Sequence, residues 1–383
     1  MRSIRIPVLL FALVATGPAW AQTAGSGSGL LNPDVSANMA LVGAYSSEAG
    51  EGHEEGEFPN GFTLQEVELR LSANSDPYFR YELAIAAHSH EGQLQLGLEE
   101  AFLSTLAIPD LTIRGGQFLV NFGKANLQHA HARRFVDAPP PLAHVFGSDH
   151  LLGTGISLDY LAPLPFFVEL NLQAVHAGWT GGGHAHGHDV NEEETEEEDS
   201  HEEAPHLFAY VGHLKTFFDL SDAVSLELGG SGLFDTDDDG HWRTAWGGDM
   251  TLKWVPSNAA RYTSFEWITE YMQGPAGEAT QDGLYTGFRY QMDQQWWLQA
   301  RGAVLDLFSD SEGNGIRGSA LVAFAPSERT AIRLQYNYDD VLEGHDEHDA
   351  EEEEGHDEHG AEAAHSVLLQ FIVSIGSHPA HAY

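Results

Sequence analysis

Between about residue 34 and residue 376, apolar and polar side chains alternate, and this period of two limits the fold more than any other feature. Val67, Leu69, Leu71 and Ala73 fall on one side of a strand, while Glu66, Glu68 and Arg70 fall on the other. The pattern returns in Val168, Leu170 and Leu172 against Glu169, Asn171 and Gln173. It returns again in Ile332, Leu334, Tyr336 and Tyr338 against Arg333, Gln335 and Asn337, and in Val367, Leu369, Phe371, Val373 and Ile375. A helix would scatter each set around its circumference. The alternation predicts about sixteen strands of ~9–14 residues, the length of tilted membrane strands rather than the shorter strands of soluble sheets. Three of the predicted spans are 110–122, 283–292 and 295–308.

The connections sharpen this to a closed antiparallel barrel. Short turns carrying Pro, Asp, Asn and Ser, such as Asn74-Ser75-Asp76-Pro77 and Pro326-Ser327-Glu328, are expected to alternate strictly with long segments. An even-stranded transmembrane barrel with short turns at one rim and long loops at the other has this organisation. The face opposite the apolar one receives Glu66, Glu68, Arg70, Arg80, Glu82, Asp159, Glu169, Lys215, Glu227, Lys253, Glu266, Glu270, Arg289, Arg301, Arg317 and Arg333. That is a polar lumen of nearly balanced sign. Trp254, Tyr262, Trp267, Tyr271, Trp296 and Trp297 are assigned to interfacial girdles.

The N-terminus reads as an export signal. Arg2 and Arg5 precede the short apolar run from Ile6 to Ala15, and Ala19-Trp20-Ala21 supplies small residues for cleavage. Residues 1–21 are thus a signal peptide, 22–33 a flexible linker and 34–383 the barrel of a Gram-negative outer membrane. No apolar run reaches the ~18 residues of a spanning helix. Cysteine is absent, which removes disulfides and thiolate metal sites.

The chain holds 17 Lys and Arg against 58 Asp and Glu, a net charge of −41. Such a polyanion repels nucleic acid and attracts cations. Roughly half of the acids fall in 48–57, 189–203 and 339–362. Histidines accompany them: His53; then His184, His186, His188 and His201 in the loop at about 178–205; and His345, His348, His356 and His359 in the loop at about 341–364, where Gly-His-Asp-Glu-His occurs twice. Imidazole suits Zn²⁺, Cu²⁺ and Ni²⁺, and carboxylates complete a shell. These nine histidines are the candidate metal ligands, with zinc the expected ion. Cu²⁺ binds such ligands more tightly than Zn²⁺, so zinc would depend on its availability. Asp235-Thr236-Asp237-Asp238-Asp239-Gly240 opens like a Ca²⁺ loop, but Trp246 stands where the twelfth-position acid belongs.

The segment 123–150 differs, with His129, His131, Arg133, Arg134, three consecutive prolines from Pro139, His144 and His150. It either folds inward, so that His129, His131, His144 and His150 belong to a pore loop, or packs on the barrel wall. No hydrolase elbow, zinc-protease motif or phosphate loop is present, and no enzymatic activity is expected.

Several stretches carry a family resemblance: Gly61-Phe62-Thr63-Leu64-Gln65-Glu66-Val67-Glu68-Leu69, Asp76-Pro77-Tyr78-Phe79, Glu99-Glu100-Ala101-Phe102-Leu103, Gly116-Gln117-Phe118, Phe122 to His129, and Phe135-Val136-Asp137. Together they resemble the zinc-regulated TonB-dependent outer-membrane receptors, which are similar to phosphate-selective porins. The resemblance implies an outer-membrane barrel made under zinc limitation, with histidine-rich loops that capture zinc. Related porins are often trimers, so it also implies a homo-oligomer. Energised receptors wrap about 22 strands around an N-terminal plug, whereas about sixteen strands and a short linker are read here. A porin-like channel without TonB coupling is therefore the expectation. The alternative is a surface metal-binding or adhesion protein that uses its barrel only as an anchor.

Overall fold

The computed structural model describes residues 33–47, 58–90, 93–147, 150–177, 208–236, 241–256, 262–276, 279–309, 314–342 and 363–376. Sixteen antiparallel strands form one closed barrel. They are β1 (Asp34–Ser46), β2 (Gly61–Asn74), β3 (Phe79–His90), β4 (Gln93–Thr105), β5 (Leu111–Leu119), β6 (Leu152–Leu161), β7 (Phe167–Ala177) and β8 (Ala209–Ser221). The second half comprises β9 (Val224–Thr236), β10 (Trp242–Trp254), β11 (Ser264–Ala276), β12 (Ala279–Gln291), β13 (Trp296–Leu305), β14 (Asn314–Ser327), β15 (Thr330–Leu342) and β16 (Ala364–Gly376). Each strand pairs with its neighbours in sequence, and β1 closes on β16 from Ser36↔Gly376 to Ser46↔Ser366. Closure removes every sheet edge, as a backbone surrounded by lipid requires. Among the described residues, no helix is long and apolar enough to cross a membrane.

The two faces sort as the alternation predicts. On β8, Leu214 is 51% exposed, while His213 beside it is 5% exposed. On β15, Leu334 is exposed and Gln335 fully buried; on β7, Leu172 is exposed and Asn171 fully buried. A soluble protein would place its apolar face inside. Here that face points out, the arrangement suited to a lipid surround.

Inside, the charges pair: Arg70 with Glu82 at 2.5 Å, Lys215 with Glu169 at 2.8 Å, Arg114 with Asp159 at 3.0 Å. Trp297 corrects the girdle assignment. It is buried on the lumen side, with the Arg289 guanidinium over its ring at 6.0 Å, whereas Trp296 faces outward and packs on Phe324. Two adjacent tryptophans on a strand must point in opposite directions.

The strict short–long alternation also fails. β3–β4 and β11–β12 are two-residue hairpins, paired up to His90↔Gln93 and Ala276↔Ala279. The start of β12 therefore lies earlier than the predicted 283. β5 ends at Leu119 rather than 122, and β13 at Leu305 rather than 308, where Asp306 turns the chain with φ of 53°. The signal peptide, the linker and the nine candidate ligands His53, His184, His186, His188, His201, His345, His348, His356 and His359 lie outside the described residues. Asp237–Gly240 lies there as well, and Asp235 is held by Arg243 at 2.7 Å.

Candidate metal centre beneath an inward loop

After β5 the chain turns into the barrel and returns only at β6. The Val120 N–H donates to Leu151 O, and Asn126 bonds Val120 O, Leu151 O and the Leu151 N–H, which closes the neck of the loop. At Gly123, φ is +61°, and its N–H donates to Ser231 Oγ on β9 at 2.8 Å. The amides of Lys124 and Ala125 then donate to Glu270 on β11, and Lys124 Nζ reaches Glu227 at 2.6 Å. A Cβ at residue 123 would land on Glu270 Oε1. Gly123→Ala therefore adds left-handed strain of about 1–2 kcal/mol and displaces the anchor. Faster limited proteolysis between residues 120 and 151 is the expected result.

The loop then crosses to the acidic wall and comes back. His129 and His131 meet β2 and β4; Arg134 meets Glu266 on β11 at 2.6 Å. Arg333 on β15 donates to Arg133 O, and the Val136 N–H donates to Gln335 Oε1. Asp137 accepts from Arg301 on β13 at 2.8 Å and lies 3.5 Å from Arg317 on β14. Burial alone would raise the Asp137 pKa, but Arg301 and Arg317 hold it below the ordinary carboxylate range. The short helix α1 (Pro140–Phe146) packs on β11, β12 and β13 and ends at Gly147, φ 71°. In a ring of sixteen, β2–β4 and β10–β12 are opposite, so the loop spans the lumen. The expectation left open by the sequence resolves to the inward arrangement.

On the β2–β4 side the loop covers a concentrated group of acids and histidines. Two β-bulges build it. Ala40 pairs with Glu66 and Leu41 with Leu64, leaving Gln65 as the extra residue; Ala84 pairs with Glu100 and Ile85 with Leu98, leaving Glu99. A bulge re-aims a side chain that would otherwise face lipid. The second bulge turns Glu99 to the lumen beside Glu100, Glu66 and Glu68 face it by alternation, and all four are buried.

His129 Nδ1 lies 2.7 Å from Glu99 and 3.2 Å from Glu68, and its Nε2 lies 3.3 Å from Glu100. With a carboxylate at both ring nitrogens, the ring is an imidazolium. Burial opposes that charge, but Glu100 and Glu99 outweigh it and push the His129 pKa up to about 10. His131 Nδ1 and its backbone N–H both contact Glu66 Oε2, at 3.0 and 2.8 Å. His88 Nε2 approaches Glu99 at 3.5 Å. Ligand atoms from Glu66, Glu68, Glu99 and His129 all lie within 4.8 Å of one another. Arg289 on β12 and Arg301 on β13 stand across the lumen, Arg333 stands on β15, and Arg133 and Arg134 lie on the loop.

No known protein-family profile matches this chain. OprB of Pseudomonas putida superposes with a TM-score of 0.57 at 7% identity, covering 90% of this chain and 94% of that one. The anion-selective porin from Comamonas acidovorans gives 0.56 at 8% identity, covering 90% and 99%. The fold is that of the outer-membrane porins. The outer-membrane channel DcaP of Acinetobacter baumannii superposes similarly, with a TM-score of 0.53 at 11% identity, covering 90% and 97%. In sequence, a protein of Aquifex aeolicus (strain VF5) described only as uncharacterized is 28% identical over 367 residues, covering 87% of this chain and 72% of its own. A 22-stranded receptor barrel is not what the structure shows; sixteen strands make the porin-like frame.

Of the four pore-loop histidines expected from sequence, the structure brings His129 and His131 into the cluster. His144 instead bonds Asp306 at 2.9 Å, and His150 meets Arg133 Nη2 at 2.9 Å. Sequence reasoning did not single out Glu99 or Glu100 as site residues. The legible signal was two successive carboxylates inside an otherwise alternating strand, which period-two reading cannot place on one face.

Proposed function

We propose that this porin-like barrel is an outer-membrane channel for divalent metal, zinc foremost. It gathers the ion on acidic, histidine-rich segments at one rim and admits it to the periplasm. The observation that carries this reading is topological. The segments holding His53, the His184–His201 group and the His345–His359 group join β1 to β2, β7 to β8 and β15 to β16. In an up-and-down barrel those three joints share a rim, and the inward loop between β5 and β6 is rooted at the same one. The lumen cluster therefore lies beneath a loop rooted at the same rim from which those segments depart.

A net charge of −41 raises the local cation concentration. Conduction requires that the ion bind weakly enough to be released, which exchangeable imidazole and carboxylate ligands permit. The ion is the cargo, and no energised gating is needed for it to run down its gradient.

The test is uptake. Replacing His184, His186, His188, His201, His345, His348, His356 and His359 with glutamine is expected to lower zinc uptake several-fold at scarce external zinc. Uptake at abundant zinc should be nearly unchanged. Equal uptake by both proteins at scarce zinc would remove these segments from the mechanism.

A further inference from the structure

We infer that Glu66, Glu68, Glu99 and His129 form a binding site for one divalent transition-metal ion inside the barrel, where the inward loop crosses the lumen face of β2 and β4. Its role as a station for metal passing inward rests on the channel reading above; the site itself does not.

Three observations carry it. The first is proximity: one ligand atom from each of the four side chains lies within 4.8 Å of the others. Ligands ~2.1 Å from a common ion sit about 3–4 Å apart, so occupancy needs only a contraction of rotamers. The second is unmet bonding capacity. Glu66 and Glu68 are 0% exposed, yet among the described residues Glu66 Oε1 has no hydrogen-bond partner, and Glu68 Oε2 meets His129 Nδ1 at 3.2 Å without hydrogen-bond geometry. A buried carboxylate oxygen without a donor is costly, and an ion satisfies it. The third is charge. Four carboxylates, Glu66, Glu68, Glu99 and Glu100, crowd together, and Arg70 touches only the last of them, at 3.4 Å, while also holding Glu82. A divalent ion would set two positive charges among them, with His129 binding it through a neutral ring nitrogen and any ring proton passing to solvent.

The donor set indicates the class of ion. An imidazole nitrogen among carboxylates suits Zn²⁺, Mn²⁺ or Fe²⁺ and disfavours Mg²⁺ and Ca²⁺, which prefer all-oxygen shells. Cysteine is absent, so a soft, thiolate-bound ion is not served. The position is also instructive. The site depends on β2, β4 and the loop at once, so an ion there would tie the loop to the acidic wall, and its departure would leave that contact to His129, His131 and the Gln65–Val136 hydrogen bond.

The experiment is anomalous diffraction at the zinc edge on crystals of the full-length protein grown with and without zinc chloride. One peak per chain is expected among the four side chains, only with zinc. Glu99→Gln and, separately, His129→Gln should abolish it, and equilibrium dialysis of the same proteins should lose one zinc per chain from the tightest class. The affinity of that class should fall about a hundredfold, the upper end of what losing even an outer-shell partner causes. No peak with zinc, or a peak that survives both substitutions, overturns the site. A lumen peak in a protein whose rim substitutions leave uptake unchanged would instead overturn rim capture and keep the site, so the two failures are distinguishable.

Discussion

Replacing Asp137 with alanine is expected to destabilise the folded protein by about 3–5 kcal/mol, the usual effect of removing one member of a buried ion pair. The Arg301 guanidinium, whose side chain is 1% exposed, would keep its charge and lose both carboxylate bonds. Arg317 would keep Asp339, and Gln335 would lose one acceptor but retain Asn337. The damage is thus concentrated on Arg301 and on the loop segment that Asp137 pins. Channel conductance should rise as that arm leaves the wall, and guanidinium unfolding of the detergent-solubilised barrel should shift to lower denaturant.

Acid should mimic the substitution. Because the folded-state pKa of Asp137 is depressed, its stabilisation is complete above the ordinary aspartate range and is lost as pH falls through the lower folded value. The wild type should therefore show an acid step in loop protection that Asp137→Ala lacks. Equal protection of the two proteins at neutral pH would show that the loop is held by other contacts.

A single arginine on the outer face should be nearly as damaging. Leu214 sits midway along β8, between the lumen-facing His213 and Lys215, and is 51% exposed on the apolar surface. In water, an exposed Leu→Arg change is worth a few tenths of a kcal/mol. Near the bilayer midplane it costs about 2–4 kcal/mol. The Leu214→Arg barrel should therefore fold poorly into bilayers yet tolerate a zwitterionic detergent. Equal folding in both would mean that this face does not meet lipid.

The alternation along β2, β7, β15 and β16 was enough to read the barrel, because one residue's step in a strand reverses the direction of its side chain. It was also enough to place Glu66, Glu68 and Glu270 in the lumen. It could not place Glu99, since a bulge inserts a residue and breaks the period, and bulges are set by closure of the barrel rather than by local preference. Nor could it direct the segment after Leu119. That path is fixed by Ser231, Glu270, Gln335 and Arg301, which are distant in sequence and visible as partners only once the ring has closed. His129 and His144 looked equivalent as loop histidines. Fifteen residues separate the one that meets three carboxylates from the one that meets Asp306.

The most direct measurement is single-channel recording in planar bilayers under a zinc chloride gradient. The account predicts stepwise conductance with a reversal potential displaced toward that of Zn²⁺. An insertion-competent barrel that gives no steps, or one whose reversal potential favours chloride, would contradict it.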